Sequence, residues 1–237
     1  MNYNANEIIT FFNKSKLSSL KELNEENFND LVWDLVDEMG LNGIGDTDWD
    51  CSYGATKGVL IPTDGDYVIK IPFTEIIQGA GLFKKKKRLS LFGFQEYCEL
   101  EQFIYNVAMI KGLSGFFART IKIGEVGKFS IYVQEKADAN IGDWSDWTKK
   151  KENIKASIKI KELVSKKELK KVKKYCKKNK VKCFNAPFLA LIEKSGKKDD
   201  VLKLCDFIEE CTNDVHIGNL GFIKDRPVII DYSGYYE

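Results

Sequence analysis

Three oxygen-bearing side chains lie near the end of the sequence. Asp214 and Asn219 are five residues apart in Asp214-Val-His-Ile-Gly-Asn219, and Asp231 ends the apolar run Val228-Ile-Ile-Asp231. A tight loop can turn the first two side chains toward one point, and a hairpin strand can bring the third to meet them. Carboxylate and amide oxygens suit Mg²⁺, which takes few protein ligands and completes its shell with phosphate oxygens and water. The remaining carboxylate can orient an attacking hydroxyl group or accept its proton.

This stretch resembles the catalytic loop and metal-binding strand of the protein-kinase-like superfamily. It is closest to the aminoglycoside and choline phosphotransferase branch, where Asp-Leu-His-x-Gly-Asn is usual. The resemblance implies ATP and Mg²⁺ as cofactors, Asp214 as the catalytic aspartate, and Asn219 and Asp231 as the metal ligands. Asp231 begins Asp-Tyr-Ser here instead of the family's Asp-Phe-Gly. For His216, the only histidine in the chain, it implies a role in bracing the loop backbone.

The same resemblance requires a lysine on an early strand that binds the nucleotide phosphates. Lys70 lies between apolar neighbours in Val-Ile-Lys-Ile. Unless it faces outward from an edge strand, such a lysine needs a carboxylate to offset its desolvation. The helix predicted over residues 95–111 supplies the candidates. Glu101 is favoured because the apolar residues three and four positions later place it at the edge of the buried face, and Glu99 is the alternative.

A glycine-containing stretch precedes this lysine and is similar to the kinase nucleotide loop. Gly54 and Gly58 would let backbone N–H groups approach the phosphates, and Thr56 and Lys57 would add contacts. An ordinary hairpin turn is the alternative for this stretch. Further along, Glu135 would lie at the hinge between two lobes, where backbone groups of the family usually hold adenine.

The elements that must position these residues mix helices and strands. Apolar residues recur with helical spacing in two pieces over residues 6–39, and the helix at 95–111 ends at a glycine. Short segments rich in strand-favouring residues and bounded by turn residues predict strands at 58–62, 67–71, 118–125, 130–135, 220–223 and 227–231. Residues 144–180 and 186–212 read as mostly helical. This order predicts an α+β fold with two lobes.

The resemblance gives this architecture a specific form, a bilobal protein-kinase-like fold with a small antiparallel-sheet N-lobe and a reduced, mostly helical C-lobe. We expect an N-terminal helical extension over 1–45, the N-lobe over 46–135, and the C-lobe with the catalytic loop and metal-binding hairpin over 136–237. The sequence ends six residues after Asp231, so we expect acceptor recognition to come from residues 140–210, the N-terminal helices or a partner.

Charge is distributed unevenly along the chain. The formal net charge is +2, but residues 149–182 contain sixteen lysines and three glutamates, a net charge of +13. Apolar residues at helical spacing within this lysine-rich segment favour a solvated helix with one buried face. The alternative is a surface that binds nucleic acid or an acidic partner. A second basic run, residues 84–88, is predicted to lie in a loop.

Composition excludes several classes of protein. With 237 residues, 43% hydrophobic and 30% charged, the chain is neither wholly disordered nor fibrous. It has no apolar run near the roughly 18 residues that a membrane span needs, and we do not expect its first residues to act as a signal peptide. Six cysteines without a C-x-x-C pair are typical of reduced thiols. We therefore expect a cytoplasmic protein that does not contact the membrane.

Together these features predict an ATP- and Mg²⁺-dependent phosphotransferase whose acceptor, protein or small molecule, the sequence does not identify. The alternative is a pseudokinase or a nucleotide-binding interaction module without turnover. Transfer of a nucleotidyl group on the same scaffold also stays open.

Overall fold

The computed structural model describes residues 1–35, 49–63, 65–78, 85–88, 94, 96–139, 200, 203–204, 207–208, 211, 217–224 and 226–233. The chain divides into two compact units. The first comprises Met1–Phe103 and Arg119–Lys136, and the second comprises Ile104–Ala118 and Ala137–Glu237. The described secondary structure is mixed α and β, as the composition and patterning predict.

The first unit is built on a five-stranded antiparallel sheet with the strand order β1-β2-β3-β7-β6. Its strands are β1 (Trp49–Tyr53), β2 (Lys57–Pro62), β3 (Tyr67–Pro72), β6 (Thr120–Val126) and β7 (Phe129–Glu135). The four strands predicted between residues 58 and 135 are therefore confirmed. In this order β3, which carries Lys70, is the central strand.

Two N-terminal helices cover one face of this sheet. They are α1 (Ala5–Lys14), capped by Asn4, and α2 (Glu25–Trp33), which opens with a capping box between Asn24 and Asn27. The side chain of Asn24 accepts hydrogen bonds from the backbone N–H groups of Glu26 and Asn27, which have no partner within the helix. The apolar residues of both helices and of alternate sheet positions form one core. The described helices of the predicted extension, residues 1–45, thus share a core with the sheet.

The ring of Phe28 on α2 packs directly against the backbone of Gly58. A Cβ atom at this position would lie 2.1 Å from Cε2 of Phe28, whereas one at Gly54 would meet nothing within 4 Å. Because overpacking a buried site forces neighbours to move, we expect Gly58→Ala to lower the free energy of unfolding by about 1–3 kcal/mol. Urea denaturation measures the effect, and Gly54→Ala, expected to change stability by less than about 0.5 kcal/mol, is the matched control. Equal effects of the two substitutions would contradict this packing.

A second, two-stranded sheet pairs β4 (Glu75–Gln78) with β5 (Lys85–Arg88). The prediction of a loop over residues 84–88 was wrong for Lys85–Arg88. A run of lysines has a low strand propensity, but the β4 segment contains two isoleucines and offers a backbone partner, and pairing overrides local preference.

The second unit contains the end of α3 (Tyr97–Ile110) and an antiparallel hairpin of β8 (Leu220–Ile223) and β9 (Arg226–Ile229). The predicted C-terminal hairpin is therefore confirmed. The backbone N–H of Ala118 donates to the Ile229 carbonyl at 2.9 Å, and the buried Tyr232 hydroxyl donates to the Ala118 carbonyl at 2.8 Å. The Phe117 ring meets the Tyr232 ring edge-on, with centroids 5.1 Å apart. These contacts hold the segment after β9 in place.

No helix in the described part of the chain combines the length and apolarity needed to cross a membrane.

Candidate functional site

The sheet of the first unit has an apolar face and a polar face. Alternate residues of a strand point to opposite faces, and Ile69 and Ile71 belong to the core shared with α1 and α2. Lys70 therefore points to the other face, where its register partner on β7 is Tyr132. Lys57 shares that face, because it lies two residues before the position opposite Lys70 on β2.

The N-terminal part of α3 covers the polar face and contributes Glu101. Its Oε1 contacts the Lys57 Nζ at 2.6 Å and its Oε2 contacts the Lys70 Nζ at 2.9 Å. Both lysines are 3% exposed and Glu101 is fully buried. The predicted ion pair between Lys70 and Glu101 is thus confirmed, whereas Glu99, the alternative partner, is exposed. We call these three residues the Lys57–Glu101–Lys70 cluster.

Two neutral side chains extend the cluster along the polar face. The Thr120 hydroxyl donates to Glu101 Oε2 at 3.4 Å, a long contact. Gln134, which is opposite Thr120 in register, donates from Nε2 to the Thr120 Oγ1 at 2.7 Å. All three residues are buried. The Glu101 carboxylate is therefore oriented by hydrogen-bonding groups from β2, β3 and β6.

Burying three charged groups costs free energy, so a contribution to stability does not by itself explain the cluster. Each ion loses several kcal/mol of hydration, and replacing such groups with apolar residues often leaves stability unchanged or raises it. The cluster places two lysine ammonium groups beside one carboxylate. A phosphate group, with two negative charges and several acceptor oxygens, has the right chemistry to interact with such ammonium groups.

Two titratable groups beside the cluster have raised pKa values. Burial raises the pKa of the Cys98 thiol well above its ordinary value, which keeps this free cysteine protonated and inert. Burial, and then the hydrogen bond that the Tyr132 hydroxyl donates to Glu96 Oε1, raise the pKa of Tyr132. Neither group supplies a nucleophile at neutral pH.

The raised pKa of Tyr132 predicts a loss of stability in alkali. Its ordinary pKa is 10.0, so above pH 10 the unfolded chain releases a proton that the folded chain retains, and unfolding is favoured. The resulting loss is about 1.4 kcal/mol per pH unit. We expect Tyr132→Phe to lack this component, so that its stability relative to wild type rises by about 1.4 kcal/mol between pH 9 and pH 11. Urea denaturation at both pH values measures it, and parallel pH profiles would contradict the assignment.

The predicted nucleotide loop is a tight turn between β1 and β2. The Gly54 N–H donates to the Lys57 carbonyl at 3.1 Å, as expected for the alternative of an ordinary hairpin turn. Thr56 is buried and its carbonyl accepts from the Phe73 N–H at 2.8 Å. Gly58 lies within β2 against α2, so close packing explains this glycine, and Lys57 contacts Glu101 from the strand instead of lying in the loop.

Glu135, the residue predicted for the hinge, ends β7 within the first unit. Its backbone N–H donates to the Arg119 carbonyl at 3.0 Å, and its carboxylate accepts from the Arg119 N–H at 2.9 Å. These contacts join the end of β7 to the start of β6.

In the second unit the β8–β9 hairpin brings Asn219 close to Asp231 in the backbone. Asn219 precedes β8, is 8% exposed, and accepts at its carbonyl from the Ile230 N–H at 2.9 Å. Asp231 is the next residue after Ile230, so Asn219 and Asp231 lie at the same end of the β8–β9 hairpin. An amide and a carboxylate are oxygen donors that fit Mg²⁺, which needs only one or two protein ligands when phosphates supply the rest. Among the described residues, no three His, Cys, Asp or Glu side chains form a metal-binding group.

Several predicted features lie outside the described residues. They are the catalytic Asp214, the bracing His216, and the lysine-rich segment 149–182 with its helix. Their roles remain predictions from the sequence.

The contact of Lys57 with Glu101 is the feature that sequence reasoning missed. Lys57 looks like a loop residue because it stands between two glycines. The signal that could have found it is the hairpin register: counting back from the turn between β2 and β3 places Lys57 on the same face as Lys70.

Comparison with known proteins returned no relative. No protein-family model, no curated protein and no solved structure matches the chain.

Proposed function

We propose that the chain is an ATP- and Mg²⁺-dependent phosphotransferase with a protein-kinase-like fold. The first unit corresponds to the N-lobe and the second to the C-lobe. The observation that carries the proposal is the buried pair of Lys70 and Glu101, at 2.9 Å. The catalytic-loop motif resembles that of the kinase-like superfamily. This resemblance requires a lysine on an earlier strand, held by a glutamate of the following helix.

The proposal gives each residue a role that its chemistry suits. Lys70 binds the nucleotide phosphates and Glu101 orients it, while Asn219 and Asp231 hold the metal. When bound, Mg²⁺ neutralises phosphate charge. Asp214 orients the acceptor hydroxyl and takes its proton. The backbone of the turn at residues 54–56 contacts phosphates, and the backbone near Glu135 contacts adenine. Catalysis of this kind depends on positioning and charge stabilisation.

Incubation with ATP labelled at either the α- or the γ-phosphate tests the proposal. We expect the γ label, and not the α label, to reach water or one of a panel of serine, threonine and tyrosine peptides and small alcohols, in a reaction that EDTA abolishes. Asp231→Asn should slow transfer by about 10²–10³-fold, as expected for losing one charge-stabilising group. Transfer of the α label would indicate nucleotidyl transfer instead. ATP binding with neither label moving would indicate an interaction module, and no ATP binding would contradict both.

A further inference from the structure

The short segment that carries Asp231 is anchored on both sides to one residue, Ala118. Before the segment, the Ile229 carbonyl accepts a hydrogen bond from the Ala118 N–H at 2.9 Å. After the segment, the Tyr232 hydroxyl donates to the Ala118 carbonyl at 2.8 Å. Two residues lie between these anchors, Ile230 and Asp231. The backbone at Asp231 is therefore held from both directions.

The anchoring residues and the residue between them differ in burial. Ala118, Ile229 and Tyr232 are fully buried, whereas Asp231 is partly exposed. A buried carbonyl that loses its hydrogen-bond donor stays unsatisfied, so the bond that the Tyr232 hydroxyl donates is not readily given up. The arrangement thus holds the backbone firmly and leaves the Asp231 carboxylate within reach of solvent ions.

We propose that Tyr232 is a positioning residue, whose hydroxyl group anchors the segment after β9 and thereby holds Asp231 close to Asn219 for the metal ion. This inference rests on the proposed function, which makes those two residues the metal ligands. The residue before Asp231 is tied to the other ligand, because the Ile230 N–H donates to the Asn219 carbonyl at 2.9 Å. Tyr232 fixes the residue after it.

The hydroxyl group adds something that the aromatic ring alone does not supply. A phenylalanine in place of Tyr232 would keep the edge-on contact with the Phe117 ring, whose centroid lies 5.1 Å from that of Tyr232. It could not donate to the Ala118 carbonyl. A hydrogen bond adds a defined distance and direction to the ring contact. Holding both ligands in place before the ion arrives removes the cost of ordering them from the binding free energy.

Titration calorimetry with a non-hydrolysable ATP analogue, in Mg²⁺ and again in EDTA, tests this role. We expect Mg²⁺ to raise the affinity of the wild-type chain for the analogue. Tyr232→Phe should reduce that gain by about 3–10-fold, as expected for one hydrogen bond, and leave the affinity in EDTA within about twofold of wild type. Asp231→Asn should lose most of the gain. Tyr105→Phe, at a partly exposed tyrosine of α3 in the same unit, is the control and should behave as wild type.

The variant that combines Tyr232→Phe with Asp231→Asn shows whether Tyr232 acts through Asp231. If it does, the double variant should show the same gain as Asp231→Asn alone. Additive losses, an unchanged gain in Tyr232→Phe, or an equal loss of its affinity in EDTA would each overturn the inference and leave the proposed function standing. A wild-type chain that binds the analogue equally well in Mg²⁺ and EDTA, or does not bind it, would overturn the proposed function and the inference with it.

Hydrogen exchange on the wild-type chain without ligand tests the anchor should Tyr232→Phe fail to fold. The amides of Ala118 and Ile230 both donate to backbone carbonyls. If the segment is held before the ion binds, both should exchange within about tenfold of the amides in the β8–β9 hairpin. Much faster exchange at Ile230 would overturn the inference, because Asp231 would then lie on a backbone that opens independently of the hairpin.

Discussion

Replacing Glu101 with glutamine is expected to lower the free energy of unfolding by about 3–5 kcal/mol, the cost of breaking a buried ion pair from one side. The carboxylate is fully buried and contacts the ammonium groups of Lys57 and Lys70. Without it, the two buried ammonium groups lose the negative charge that they share. Urea denaturation with a linear extrapolation measures the loss.

Glu99→Gln is the matched control for this substitution. Glu99 lies two residues earlier on α3 and is exposed, so the same change of charge should alter stability by less than about 0.5 kcal/mol. The comparison also tests the choice of Glu101 over Glu99 as the lysine partner. A loss below about 1 kcal/mol for Glu101→Gln, or similar losses for both variants, would contradict the buried cluster as the structure shows it.

Lys70→Met is expected to slow phosphoryl transfer by about 10²–10³-fold while leaving the chain folded. The substitution removes the ammonium group that the proposed function places on the phosphates. It does not strand Glu101, which keeps its 2.6 Å contact with Lys57. The rate loss should therefore come with a change in stability far smaller than that of Glu101→Gln.

The rate is measured as γ-phosphate release or transfer, and the fold by circular dichroism and urea denaturation on the same preparation. Lys122→Met, on β6, is the control because this lysine is exposed and pairs with Glu125. A Lys70→Met variant that transfers phosphate at the wild-type rate would remove Lys70 from the site. A variant that loses activity only because it unfolds would show that the lysine is structural.

The contact of Lys70 with Glu101 can be predicted from the sequence because the strand and the helix each have a distinct pattern of apolar residues. A charged residue inside the apolar strand β3 must find a partner, and helical spacing leaves few carboxylates at the edge of the buried face of α3. The antiparallel strands were predictable for the same reason, since their apolar residues and turn residues recur at short intervals.

The contact of Lys57 with Glu101 was harder to predict, because it depends on which residues pair in the β2–β3 hairpin. Pairing decides whether a residue beside a turn belongs to a strand. Lys57 pairs with Pro72 across the β2–β3 hairpin. Gly58 shows the same limit. In the sequence, this glycine indicated a close approach of phosphate to the backbone. In the structure, the ring of Phe28 on α2 fills that space. The strand at Lys85–Arg88 was missed because propensity alone gives no sign of its partner, β4.

An acyl-phosphate derivative of ATP tests the central claim most directly, because it acylates the lysine amine that lies against the terminal phosphate and leaves a stable amide. After reaction with the wild-type chain in Mg²⁺, peptide mass spectrometry locates the modified residue. We predict modification at Lys70, suppressed by excess ATP, with Lys57 unmodified. Modification confined to the lysine-rich segment 149–182, or modification of Lys70 that ATP does not suppress, would contradict a nucleotide site at the Lys57–Glu101–Lys70 cluster.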